Sequence, residues 1–131
     1  MAILIDTDLL VAVERKSEWL DALGLDEERA ISVITVSELL QGVLRARGAR
    51  RTRRSAFVEH LLSHLDPVPI TELVARVHAQ IWAALAARGD VIGSHDLWIA
   101  ATALAHGFGI ATGNARDFAR VPGLRVLAVE L

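Results

Sequence analysis

The sequence predicts an α/β domain of three layers, with a central parallel sheet of four to five strands covered by helices on both faces. Three observations lead there. Short apolar runs alternate with longer segments of helical period along the chain. The runs are near-continuously hydrophobic, as strands buried on both faces must be. Capping and stop residues flank several of the helical segments.

Ala2 to Ile5 is a short apolar run that ends in Asp6, and it reads as the first strand. Thr7 to Lys16 follows as a helix with Leu9, Leu10 and Val13 on one face, and Ser17 to Leu23 offers a second short helix stopped by Gly24. Ala30 to Ile34 reads as the second strand, and Thr35 to Ala46 as a helix ended by Gly48. Arg50 to Leu65 continues as helix, its apolar stripe formed by Phe57, Leu61, Leu62 and Leu65. Pro67 to Ile70 is a brief strand, after which Thr71 caps a long helix that reaches Arg88 before Gly89. Ser94 caps a helix running to His106, closed by Gly107 in the left-handed position. Gly109 to Thr112 and Arg125 to Val129 complete the strands. No internal repeat, linker or low-complexity stretch breaks this order, so residues 1–131 are expected to form one domain.

Composition narrows the setting. The apolar fraction of 53% exceeds the ~45–50% usual for soluble chains, which points to a protomer that hides surface against a partner. No apolar run approaches the ~18–20 residues needed to span a bilayer, and the apolar stretch Ala2 to Ile5 runs straight into Asp6 and Asp8, unlike a signal peptide. Cysteine is absent, which excludes disulfides and thiolate metal sites and makes a reducing cytoplasm the simplest expected home. The net charge is −2, yet Arg45, Arg47, Arg50, Arg51, Arg53 and Arg54 place six positive charges within ten residues, leaving the remainder at −8.

The acidic residues fall where ligands of open parallel sheets bind, beyond the carboxyl ends of the strands. Asp6 follows the first strand, Glu38 lies near the start of the helix after the second, Asp96 is in the first turn of the Ser94 helix, and Asp117 follows the Gly109–Thr112 strand. Each has an ordinary explanation. Asp6 or Asp8 would cap a helix. Thr35-x-x-Glu38 has the form of a capping box, Asp96 suits a helix macrodipole, and Asp117 suits a solvated loop. Jointly they imply a cation, because carboxylates that face one another repel unless one is protonated or a metal lies between them. Hard oxygen ligands at a sheet edge suit Mg²⁺. His60 and His64 share a helical face, but Glu59 precedes the pair rather than following its first member, so they lack zinc-protease spacing and read as a solvated pair.

Four blocks now resemble a known family. Ile3-Leu4-Ile5-Asp6-Thr7-Asp8, the segment Ile34-Thr35-Val36-Ser37-Glu38 with its continuation to Gly42, the segment from Ser94-His95-Asp96 to Ala103, and Ala111-Thr112-Gly113-Asn114-Ala115-Arg116-Asp117-Phe118 look like the motifs of PIN-domain nucleases. Order and spacing are similar to VapC-type toxins of bacterial toxin–antitoxin pairs over essentially the whole chain. The resemblance implies metal-binding or catalytic roles for Asp6, Glu38, Asp96 and Asp117, with Thr112 and Asn114 assisting by hydrogen bonding near the metal or scissile phosphate. It places Asp8 in the slot of a polar supporting residue. It also implies Mg²⁺ or Mn²⁺ as cofactor, RNA as substrate, a VapB-type antitoxin as partner, and a homodimer.

The expected chemistry is metal-assisted phosphodiester hydrolysis by an activated water, which needs no 2′-hydroxyl and should leave a 5′-phosphate. An acidic site does not hold RNA by itself, so Arg45, Arg50, Arg51, Arg53 and Arg54 are the expected phosphate grip, with Arg116 and Arg120 flanking the fourth block. Trp19, Trp82 and Trp98 have apolar neighbours at helical spacing and suit core or interface packing better than base stacking. Two other readings stand beside this one. A strand followed by Asp6-Thr7-Asp8 is also similar to the start of haloacid-dehalogenase-like phosphatases, but their distant lysine is missing, Lys16 being the chain's only one, and Leu10 stands where Thr or Val is expected. The same missing lysine argues against a receiver domain. The remaining alternative is a non-catalytic RNA- or metal-binding protein that uses the acidic edge without hydrolysis.

Overall fold

The computed structural model describes residues 2–14 and 28–130. Its strands are β1 (Ala2–Ile5), β2 (Glu28–Ser32), β3 (Pro67–Val68), β4 (Gly109–Thr112) and β5 (Val126–Ala128). They form a five-stranded sheet in the order β3-β2-β1-β4-β5, with every pairing parallel. Among the described residues the helices are α1 (Thr7–Val13), α2 (Val33–Arg45), α3 (Gly48–His64), α4 (Glu72–Ala87), α5 (Ser94–Ala105) and α6 (Ala115–Phe118). The expected helix at Ser17 to Leu23, the end of the expected first helix and Trp19 lie outside the described residues.

The pleat assigns the layers. Ile3 and Ile5 of β1 pack with Leu9, Leu10 and Val13 of α1, Leu39 and Val43 of α2, and Val58 and Leu61 of α3. Leu4 points to the opposite face and packs beside Ala103 of α5, where Ile110 joins Val74, Ile81 and Leu85 of α4 and Ile99 of α5. This is the three-layer α/β/α arrangement, with α1, α2 and α3 on one face and α4 and α5 on the other. Ile3, Leu4 and Ile5 are fully buried, and removing such side chains from water contributes roughly 1.5–3 kcal/mol each.

The chain moves from β1 outward to β2 and β3, then returns to build β4 and β5 on the other side. Strand order therefore reverses between β1 and β4, which opens a crevice at their carboxyl ends. Asp6 and Thr112 stand at that crevice.

Several expected boundaries shift: β3 and β5 are shorter than expected, and Gly93, not Ser94, holds the N-cap of α5, with no side-chain cap bond. β2 ends at Ser32, and Val33 and Ile34 open α2 because the Ser32 hydroxyl caps the helix, accepting from the Ile34 amide at 3.1 Å. Gly48 begins α3 rather than merely ending α2; α2 stops at Arg45 and Gly48 adopts φ +57° at the junction. The segment around Asp117 is a helical turn, α6, and not a loop. Thr71 caps α4 as expected, accepting from the Val74 amide at 3.3 Å, and Gly107 takes φ +69° after α5. No helix among the described residues is long and apolar enough to cross a membrane.

Candidate active site

Asp6 occupies the N-cap position of α1 but makes no cap bond with its side chain. Its backbone amide donates to the Ala111 carbonyl at 2.9 Å, continuing the β1–β4 ladder, and the residue is only 3% exposed. The carboxylate is instead tied across the crevice: Thr112 Oγ1 donates to Asp6 Oδ2 at 2.8 Å. Thr112 Oγ1 in turn accepts from the Asn114 amide at 2.9 Å, and Asn114 Nδ2 donates to Asp117 Oδ2 at 3.0 Å. One continuous chain of bonds thus joins Asp117, Asn114, Thr112 and Asp6. Arg120 lies 3.6 Å from the Asp117 carboxylate.

Glu38 is held from a different side. The capping-box reading does not describe it, since Ser32 is the cap and Glu38 Oε1 accepts from Thr7 Oγ1 at 2.8 Å. Thr7 Oγ1 also lies 2.9 Å from Thr35 Oγ1. The other Glu38 oxygen, Oε2, is 3.4 Å from His95 Nδ1. Asp96 sits in the first turn of α5.

These carboxylates feel one another. Burial, followed by the charges of Asp96 and Asp8, pushes Asp6 up to about 6, against the lowering effect of the Thr112 bond. Asp96 is also raised, first by burial and then by the charges of Glu38, Asp8 and Asp117, with His95 opposing. The crevice therefore gathers five carboxylates in one electrostatic group, including Asp8, which is exposed on α1 yet bears on both Asp6 and Asp96.

Among the described residues no three His, Asp or Glu side chains close on a common point tightly enough to cage an ion alone. A hard cation such as Mg²⁺ keeps several waters and takes one or two carboxylates directly. The donors are all oxygens, and both the burial and the lesser mutual repulsion that raise Asp6 and Asp96 disfavour bare carboxylates, which a divalent cation would offset. The residues fit Mg²⁺ or Mn²⁺. His64 Nδ1 lies 2.9 Å from the His60 carbonyl, and both rings are on the exposed face of α3, in keeping with a solvated pair.

The arginines divide. Arg54 is taken: Nε and Nη2 donate to the two oxygens of Glu14 at 3.2 and 2.8 Å, bracing α3 against the end of α1. Arg45, Arg50 and Arg54 line a cleft of about 300 Å³ with Gly42, and Gly42 and Arg54 also border a smaller hollow that reaches Glu38. Arg51, Arg53 and Arg116 are exposed, and Arg120 donates to the Val91 carbonyl at 2.8 Å. A second cleft, of about 510 Å³, opens on the other flank beside Asp8, Gly113 and Asn114. Of the tryptophans, Trp98 stacks on His78 with centroids 3.6 Å apart, while Trp82 is 62% exposed beside an apolar cleft of about 490 Å³ between α4 and α5.

Sequence reasoning missed Thr7, Thr35 and His95 as parts of this site. Thr7 is the middle residue of Asp6-Thr7-Asp8, and its place between two acids was the available signal; that it is buried and meets Glu38 could only come from the fold.

The model of the PIN domain family matches residues 3–124. A ribonuclease VapC1 from Rickettsia felis is 35% identical over 131 residues, which is 99% of this chain and 98% of the relative. A tRNA(fMet)-specific endonuclease VapC from Salmonella typhimurium is 32% identical, covering 94% of both chains. Among solved structures, DNA-bound VapBC from Salmonella typhimurium superposes with a TM-score of 0.87 at 28% identity, over 98% of each chain. The chain belongs to the PIN-domain family, in its VapC branch. That membership sets aside the phosphatase and receiver-domain readings.

Proposed function

We propose that this chain is a Mg²⁺-dependent endoribonuclease toxin, restrained by a VapB-type antitoxin. The observation that carries the reading is the shared electrostatics of Asp6 and Asp96, on two separate elements: both carboxylates are raised first by burial, then by neighbouring acids, Asp96 and Asp8 acting on Asp6, and Glu38, Asp8 and Asp117 on Asp96. A crevice of this kind favours a divalent cation and has no evident structural use without one.

Asp6 and Asp96 would hold the cation most directly, with Glu38 and Asp117 completing its surroundings, partly through water. A bound cation would supply an activated water and charge stabilisation for phosphodiester hydrolysis. The chain's own residues do the rest. Thr112 fixes the rotamer of Asp6, and Asn114 aims Asp117. Arg45 and Arg50 line a basic cleft that continues toward Glu38, a path suited to the phosphates on one side of the cut. Relatives crystallised as VapBC assemblies support the antitoxin partner. Exposed Trp82 and Val91 around the α4–α5 cleft support the homodimer.

The test is incubation of purified protein with structured RNA in Mg²⁺, in chelator, and as Asp96→Asn. Cleavage that needs the ion, is lost in the variant and leaves a 5′-phosphate is the expected result. A 2′,3′-cyclic phosphate product rejects the mechanism, and RNA binding without cleavage favours the non-catalytic alternative.

A further inference from the structure

We propose that Thr7, backed by Thr35, is a positioning residue that fixes the Glu38 carboxylate for a divalent cation. The inference rests on reading the crevice as a cation site and assigns that site a support that its acidic residues lack by themselves.

Thr7 is 6% exposed and Thr35 is fully buried, so neither hydroxyl is satisfied by solvent. Thr7 Oγ1 has two neighbours, Thr35 Oγ1 at 2.9 Å and Glu38 Oε1 at 2.8 Å. A hydroxyl carries one proton, and an ionised carboxylate can only accept. Thr7 therefore donates to Glu38, and Thr35 donates to Thr7. Protons run in one direction, from Thr35 through Thr7 to the carboxylate, and each bond polarises the next.

The placement follows from the helices. Thr35 and Glu38 are three residues apart in α2, so they share a face, and that face meets the first turn of α1. Thr7 is the first residue of α1 and has no carbonyl one turn back in its own helix to engage its hydroxyl. It is also the immediate neighbour of Asp6, so one turn of chain presents a carboxylate and the clamp for a second. Glutamate has three side-chain torsions and loses much rotamer freedom when fixed. Holding Oε1 in advance leaves Oε2 directed to the crevice, near His95. Partners of this kind typically tune metal affinity by about 10–100-fold.

A pair of threonines that merely satisfied each other would leave cation affinity untouched, which makes the proposal testable by calorimetric titration of Mn²⁺ into the metal-free full chain. Thr7→Val, nearly isosteric, should weaken Mn²⁺ binding by about 10-fold or more, and Thr7→Ser should restore it to within about threefold, since serine keeps the donor. Thr35→Val should lose affinity in the same direction but less, because Thr7 can still donate. In a Glu38→Gln background, Thr7→Val should add little further loss. Equal Mn²⁺ affinity in wild type and Thr7→Val overturns the proposal, as does an undiminished effect of Thr7→Val without the Glu38 carboxylate. If Thr7→Val does not fold, Thr35→Val and Thr7→Ser decide: unchanged affinity in Thr35→Val, or a Thr7→Ser protein that binds no ion, overturns it. A wild-type chain that binds no Mn²⁺ overturns the cation-site reading itself, an outcome distinct from wild type and variant binding alike.

Discussion

Thr112 Oγ1 donates to Asp6 Oδ2 at 2.8 Å, joining residues 106 positions apart across the carboxyl ends of two adjacent parallel strands. This bond lowers the pKa of Asp6 against burial and against Asp96 and Asp8, which raise it. Removing it as Thr112→Val leaves a buried carboxylate with less support and frees the Asn114 amide from its acceptor. RNA cleavage at neutral pH should fall by about 10–100-fold. The acid limb of the pH–rate profile should move to higher pH, so part of the activity returns on alkalinisation. A variant with reduced cleavage and an unmoved acid limb would contradict the role given to this bond.

Asp6 also makes a stability prediction. Its carboxyl titrates near 6 in the fold against a reference of 3.8, so ionising it costs the folded state on the order of 3 kcal/mol. The cost is fully present above pH 6 and absent below 3.8, where both states are protonated. In chelator at pH 8, Asp6→Asn should therefore unfold at higher urea than wild type by up to that amount, and the gain should vanish near pH 4. Excess Mg²⁺ should narrow the gap by stabilising wild type alone. Lower stability of Asp6→Asn at pH 8 without metal would refute the electrostatic account.

How much of this was legible in the text depends on sequence distance. β1 and β4 announce themselves because Ile3-Leu4-Ile5 and Gly109 to Thr112 are buried on both faces and carry no alternation. The end of β2 does not, because Val33 and Ile34 prolong a β-branched apolar run while forming the first turn of α2. Ser32, whose hydroxyl caps that turn, was the overlooked mark. The acids were readable as a set from strand ends and spacing. Their supports were not: Thr7 meets Glu38 across 31 residues, and Arg54 meets Glu14 across 40. Nothing local in either pair distinguishes a partnered side chain from a solvated one.

The Glu14–Arg54 pair changes what the arginine cluster predicts. Arg54 is 24% exposed with both its bonds to one carboxylate, a geometry favourable enough to contribute about 1–2 kcal/mol. Arg54→Ala should lower stability by that amount, and Glu14→Ala should do the same without adding to it. Arg50, Arg51 and Arg53 are exposed on the same helix. Replacing these three with serine should leave urea unfolding nearly unchanged. The slope of log affinity for single-stranded RNA against log salt should fall by about 2, at roughly 0.7 per phosphate contact. An unchanged slope would return these residues to the status of a solvated helix face.

The other flank of the molecule responds to acid in the opposite sense from the crevice. His78 is 8% exposed between α4 and α5, stacked on Trp98 at 3.6 Å with Trp82 at its edge, and burial lowers its pKa from 6.5. As pH falls below 6.5, the unfolded chain protonates this histidine before the folded chain does, so stability present at neutral pH is lost on acidification. Asp6 acts in reverse, because the folded chain takes up its proton first between pH 6 and 3.8, and Asp96 shifts in the same direction. A single melting curve against pH mixes the two trends and can look flat. Differences between variants separate them: His78→Phe keeps a ring on Trp98 but cannot be charged. Its stability relative to wild type should therefore climb as pH drops from 7.5 to 5, while that of Asp6→Asn should decline over the same interval. Parallel curves for His78→Phe and wild type would mean that the stacked histidine accepts its proton as readily in the fold as outside it.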